Sequence, residues 1–145
     1  MIKIRMMQDE DFERSLILLT DFFEESLSEY GTSLSLDRIT EVYHRIRHSS
    51  FVLLKDDLLI GILLGQLVKD FCSDELVYEE ILWYVDKEYR KYGVKLFKYV
   101  QDWCRGQGIE RMTMCCMYNS KTESLFKFYK KLGFEAMETR FIKQL

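Results

Sequence analysis

The 145-residue chain has no proline, two histidines and four cysteines, and it lacks any apolar run long enough to cross a bilayer. Without proline, helix and strand ends must be punctuated by seven glycines and by capping side chains. Cys72, Cys104, Cys115 and Cys116 show no Cys-x-x-Cys spacing, and the adjacent pair on one strand would face opposite ways. They read as reduced core residues, with neither a disulfide nor a metal. His44 and His48 stand one helical turn apart, which suits zinc, but no third ligand accompanies them and no metal is expected. The longest apolar stretch, LLIGILLGQLV at 58–68, has 11 residues and is interrupted by two glycines and a glutamine. A spanning helix needs ~20, so no membrane partner is expected. The start, MIKIRMMQDEDFER, turns acidic without an apolar signal core, and a cytoplasmic location is the expectation.

What the chain does have is core-forming material. Hydrophobic residues make up 48% of it, enough to build a packed interior at a length typical of one domain, taken as 1–145. The net charge of -3 argues against a nucleic-acid partner, which needs a basic face. That small total hides an asymmetry. Residues 1–85 hold 8 Lys+Arg against 17 Asp+Glu, a balance of -9, and residues 86–145 hold 13 against 7, a balance of +6.

Residues 1–5 alternate as a short strand. From Asp9 to Glu25 the residues Phe12, Leu16, Leu19 and Phe23 recur at helical spacing behind an acidic first turn. Gly31 breaks that helix. Ser35 opens a second, with Ile39, Val42, Tyr43 and Ile46 as its stripe, ending near His48. The runs 51–55 and 58–68 flank Asp56-Asp57, the length of a tight hairpin turn. A further strand spans 76–85, and strict alternation puts Val77, Glu79, Ile81, Trp83 and Val85 on one face and Tyr78, Glu80, Leu82 and Tyr84 on the other. Residues 93–105 form a helix striped by Leu96, Phe97, Val100, Trp103 and Cys104, and 111–117 form a strand. Ser120 and Glu123 have capping-box spacing ahead of a helix with Leu125, Phe128, Tyr129 and Leu132, ended by Gly133, and 135–143 alternate as a last strand. The order is β-α-α-β-β-β-α-β-α-β, an α/β (α+β) mixed sheet with helices on both faces.

The segment VDKEYRKYGVKL at 85–96 joins a buried strand to a helix through a basic, glycine-containing loop. Helix amino-terminal amides, the dipole and the charges of Arg90, Lys91 and Lys95 together suit phosphate, although the pattern is neither a Walker loop nor a dinucleotide fingerprint. WYVDKEYRKYGVKL (83–96) resembles the strand and pyrophosphate motif, [RQ]-x-x-G-x-[GA], of the GNAT superfamily of acyl-coenzyme A dependent N-acetyltransferases. LFKFYKKLGF (125–134) resembles that family's closing Tyr-x-x-x-Gly-Phe signature. The resemblance implies acetyl-CoA as cosubstrate, with Arg90 and Gly93 filling motif places. Backbone amides across Lys91, Tyr92, Gly93, Val94, Lys95 and Leu96 would hold the pyrophosphate. Lys95 stands where the family usually has glycine or alanine. Trp83, Tyr84 and Val85 would present main-chain groups to the pantetheine arm where two parallel strands splay. Thr122 occupies the place of a family asparagine, and Asn119 lies three residues earlier as the candidate to replace it.

Acyl transfer to an amine asks for a base, for polarisation of the thioester carbonyl and for a proton on the departing thiolate. The resemblance makes Tyr129 the proton donor. For the base, Glu79 and Glu80 are the carboxylates on a mostly buried strand, where an unpaired charge is costly unless its pKa rises. Glu79 is preferred because alternation places it with Trp83 and Val85 and because its place six residues before Val85 resembles that of the catalytic glutamate in some family members. Glu80, or a water relay beside structural acids, is the alternative. No cysteine falls in the segment expected to face the thioester, so direct attack in a ternary complex is preferred to a cysteine acyl-enzyme. The expected partner is an amine-bearing small molecule or protein, cationic if the acidic half borders the acceptor, and a homodimer is compatible with the sequence. A non-catalytic acyl-CoA-binding or protein-interaction module is the rival reading.

Overall fold

The structure is a computed structural model that describes residues 1–119 and 121–145. Its elements in chain order are β1 (Ile2–Met6), α1 (Phe12–Ser26), α2 (Leu36–Ile46), β2 (Phe51–Lys55), β3 (Leu58–Lys69), β4 (Leu76–Val85), α3 (Gly93–Gly106), β5 (Arg111–Thr113) and α4 (Thr122–Lys131). A 3-10 turn over Asp9–Asp11 leads into α1, and a six-residue 3-10 segment over Lys87–Tyr92 leads into α3. The sheet runs β1-β2-β3-β4-β5, antiparallel through β4 and parallel between β4 and β5.

Local chemistry accounts for most of these limits. Asp56 and Asp57 both adopt positive φ (49° and 66°), the left-handed pair that a two-residue hairpin needs and that short polar side chains tolerate. The Ser35 hydroxyl accepts from the Arg38 amide at the start of α2. Gly133, at φ 90°, closes α4 while the Phe134 amide donates to the Tyr129 carbonyl. The capping box that includes Ser120 lies outside the described residues.

Each face of the sheet carries its own core. On one, Leu96, Val100 and Cys104 of α3 pack on Phe51, Leu53, Ile60, Leu63, Tyr78 and Val85. On the other, Leu18 of α1 and Tyr43 of α2 pack on Val52, Leu54, Leu59, Ile62, Leu82 and Tyr84. The α1 stripe is rotated from its sequence reading: Leu18 is fully buried, whereas Leu16 and Phe23 are half-buried. Of the cysteines expected in the core only Cys104 is buried, and Cys72 and Cys115 are exposed.

Two further expectations are corrected. The strand anticipated over 111–117 is laddered only at Arg111–Thr113. The strand anticipated over 135–143 is absent, and that segment is exposed throughout. A three-residue edge offers too few free main-chain groups to template a neighbour, and Glu135, Glu138, Arg140 and Lys143 favour solvent over burial of either face.

Candidate active site

β4 is ten residues long, yet β5 pairs only with Val77–Glu79. Beyond that point the two strands part, and a cleft of about 390 Å³ opens between them. Glu80, Ile81, Trp83, Tyr84 and Val85 of β4 form one wall. Arg90, Gly93 and Val94 at the entry to α3 form one end, and Cys115, Met117, Asn119, Leu125, Phe128 and Tyr129 form the opposite wall. Phe22, Glu25 and Ser26, at the end of α1, border the mouth.

A bulge decides which carboxylate enters this cleft. In the β3–β4 ladder Leu64 pairs with Leu82 and Gly65 with Glu80, so Ile81 is an extra residue without a partner. That insertion reverses the alternation. Tyr78 therefore shares a face with Trp83 and Val85, although Trp83 stands an odd five positions further along the strand. Glu80 follows Tyr78 onto that side, and Glu79 turns the other way, where it accepts from the Gln66 side chain at 3.1 Å. The face assignment based on strict alternation is thus corrected: Glu80, not Glu79, lies on the cleft wall.

Glu80 is 4% exposed, and burial pushes its carboxyl up to about 7, opposed in part by hydrogen bonds from Cys115. The Cys115 amide donates to Glu80 Oε2 at 2.8 Å, and the Cys115 carbonyl accepts from the Tyr129 hydroxyl at 3.1 Å. One residue therefore carries the carboxylate on its amide and the phenol on its carbonyl. Burial, with Glu80 and the thiols nearby, raises the Tyr129 phenol far above its ordinary value, so it stays protonated. Cys115 lines the cleft as well, which corrects the premise that no cysteine faces it. Desolvation and the neighbouring Glu80 push its thiol up to about 12, and a protonated thiol is a poor nucleophile.

At the far end, the expected loop is a 3-10 turn that runs straight into α3, and the Gly93 amide donates to the Arg90 carbonyl. Gly93 has φ -58°, so its backbone does not demand glycine. A Cβ there would sit 3.4 Å from Val85 and 3.6 Å from the Trp83 ring, ordinary contacts with two cleft residues. Its missing side chain leaves open space in the cleft itself. The Trp83 indole N–H is buried beside it and has no partner among the described residues. Lys91 and Lys95 instead lie over the Tyr92 ring at 5.1 and 5.8 Å, and Leu96 is in the core, so these four side chains do not line the cleft. Asn119 does, with its side-chain oxygen accepting from the Lys121 amide and its nitrogen donating to Ser26 at 3.4 Å.

Sequence reasoning missed Glu25. Its carboxylate accepts from Arg90 Nη2 at 2.9 Å and from Lys121 Nζ at 3.1 Å, joining three elements around the mouth. Partners 65 and 96 residues away leave no local signal.

A family model for acetyltransferases of the GNAT family matches residues 15–134. The chain belongs to the GNAT acetyltransferase family. No curated protein sequence matches this GNAT acetyltransferase. Solved structures share its fold at low identity. The aminoglycoside acetyltransferase AAC(6')-Iy, in complex with a bisubstrate analogue of coenzyme A and acetylneamine, is 20% identical, with a TM-score of 0.75 over 100% of this chain and 98% of that one. Ribosomal-protein-alanine N-acetyltransferase from Brucella melitensis is 11% identical, with a TM-score of 0.76 over 99% of each chain. Arabidopsis thaliana Naa50, with a bisubstrate analogue joining coenzyme A to an acetylated peptide, is 20% identical, with a TM-score of 0.72 over 94% of this chain and 85% of that one.

Proposed function

We propose that this GNAT enzyme transfers an acetyl group from acetyl-CoA to a primary amine by direct attack, with Glu80 as base and Tyr129 as proton donor. The observation that carries this reading is the attachment of both side chains to Cys115 on the cleft wall. The remaining walls fit a thioester of this length. Six residues of β4, Glu80–Val85, have no β5 partner and offer main-chain groups to a pantetheine arm. The space beside Gly93 and the guanidinium of Arg90 suit a pyrophosphate at the start of a 14-residue helix.

In the transfer, the amine nitrogen bonds to the carbonyl carbon and the carbon–sulfur bond breaks. As the new bond forms, the nitrogen becomes acidic and its proton passes to the Glu80 carboxylate. The departing thiolate, ordinarily near 8.5, takes the Tyr129 proton in concert with replacement of that proton by the one Glu80 took from the amine, so coenzyme A leaves as the thiol and both side chains return to their starting states. The Tyr129 bond to Cys115, long for an O–H donor, is weak enough for the hydroxyl to rotate toward sulfur. The acyl-enzyme route is disfavoured by the high pKa of Cys115. AAC(6')-Iy and Naa50 are solved with bisubstrate analogues of amine acceptors, which supports an amine here too.

Coenzyme A release from acetyl-CoA, followed across a panel of amines, tests the reading. Glu80→Gln is expected to lower kcat by about 10²–10⁴-fold and Tyr129→Phe by about tenfold or more. Gly93→Ala is expected to weaken coenzyme A binding by about tenfold while the fold persists. Full turnover in Glu80→Gln overturns the assignment of the base.

A further inference from the structure

Around the cleft mouth, three charged side chains from distant parts of the chain meet without meeting each other's charge evenly. The Glu25 carboxylate faces two cations, Arg90 and Lys121. Arg90 is otherwise well fixed: its Nε donates to the Val85 carbonyl at 3.3 Å, and its guanidinium lies 5.5 Å over the Tyr84 ring. Glu25 is not so well placed. It stands in the last turn of α1, whose end carries partial negative charge and has no basic residue. Its side chain keeps 26% of its surface in water.

From this we infer that Glu25 is a displaceable anion. In the free protein it occupies the two cations that a coenzyme phosphate would otherwise take, and the phosphate releases it into the cleft mouth to receive a cationic amine. The inference rests on the acetyl-CoA reading above. Two cations against one carboxylate leave an excess positive charge that a phosphate group, with more charge and more acceptor oxygens, satisfies better. Ion pairs this accessible are weak, so exchange is inexpensive. Once freed, Glu25 combines its charge with the α1 terminus, and both attract an ammonium group toward Phe22 and Ser26 on the cleft border. Coenzyme and amine then bind cooperatively, and the linkage is reciprocal: each raises the affinity of the other by the same factor.

Calorimetric titration with free coenzyme A, on the wild type and on Glu25→Gln, is the test, with spermidine as the cationic probe. The expected result is coenzyme A binding about three- to fivefold tighter in Glu25→Gln, with Glu25→Asp between the two. Spermidine is expected to bind more tightly to the wild type when coenzyme A is saturating, and equally with and without it in Glu25→Gln. A merely structural bridge gives the opposite sign, weaker coenzyme A binding and a lower Tm, and that result overturns the inference. Spermidine affinity in the wild type that is indifferent to coenzyme A overturns its second half. If no variant binds coenzyme A, the acetyl-CoA reading itself fails, whereas coenzyme A binding that is equal in all overturns the displaceable role of Glu25 and leaves that reading standing.

Discussion

Glu80 is the residue on which both chemistry and stability turn. Its folded pKa of about 7 exceeds the ordinary 4.5, so between those values the folded protein holds a proton that the unfolded chain has released. Stability contributed by this residue therefore falls as pH rises from about 4.5 to 7 and stays at its lower level above. Glu80→Gln removes this dependence while Gln can still accept from the Cys115 amide. In thermal unfolding, the Tm of Glu80→Gln is expected to exceed that of the wild type at pH 8 and to approach it at pH 4. Wild-type kcat/KM is expected to rise with pH through a limb near 7, and the limb should vanish in the variant. The residue types here were legible in the sequence: a carboxylate on a buried strand and Tyr129 on a helical stripe. Which carboxylate was not legible, because a bulge is a property of two strands in register, and Ile81 looks like any other strand residue until Gly65 is set opposite Glu80.

At the scale of elements, β4 is held in place by its contact with β3. Tyr78 is fully buried, its hydroxyl donates to the Ser49 carbonyl at 2.7 Å, and its ring lies directly over Gly65. A Cβ at Gly65 would fall 2.2 Å from the Tyr78 oxygen, which its hydrogen bond prevents from yielding. Gly65→Ala is expected to destabilise the protein by about 3 kcal/mol in urea unfolding, as overpacking of a tight core does. It should also lower activity in the protein that remains folded, because Glu80 pairs with the same glycine. Nine of the ten anticipated elements were readable from hydrophobic period and capping. The tenth, over 135–143, showed alternation alone, and alternation without a partner edge does not make a strand. Glycine at 93 was readable as a motif position, but its reason, room in the cleft beside Trp83 and Val85, is visible only in the folded chain.

Across the whole molecule, the charge asymmetry between residues 1–85 and 86–145 acquires a geometry. The acidic part contributes Glu25 and Glu80 to the cleft, and the basic part contributes Arg90 and Lys121. Glu25, Arg90 and Lys121 meet at one mouth, so an amine and a coenzyme phosphate would each find a counter-charge there. Raising NaCl from 50 to 500 mM shortens the Debye length from about 14 to 4 Å. The KM of a polycationic acceptor is expected to rise several-fold over that range, while that of an uncharged amine changes little. Equal salt response in initial-rate measurements counts against a cationic acceptor.

The chain has two tryptophans, and only one belongs to the cleft. Trp103 is sandwiched away from it, 5.1 Å from the Phe51 ring and 6.2 Å from Tyr78. Trp83 stands on the cleft wall with its ring beside Gly93, so anything that fills the space there changes the light it emits. With Trp103→Phe the protein would become a single-tryptophan sensor of its own occupancy, excited at a wavelength its nine tyrosines do not absorb. A blue shift or quench on adding coenzyme A would then read out ligand arrival in real time, without a label and without turnover.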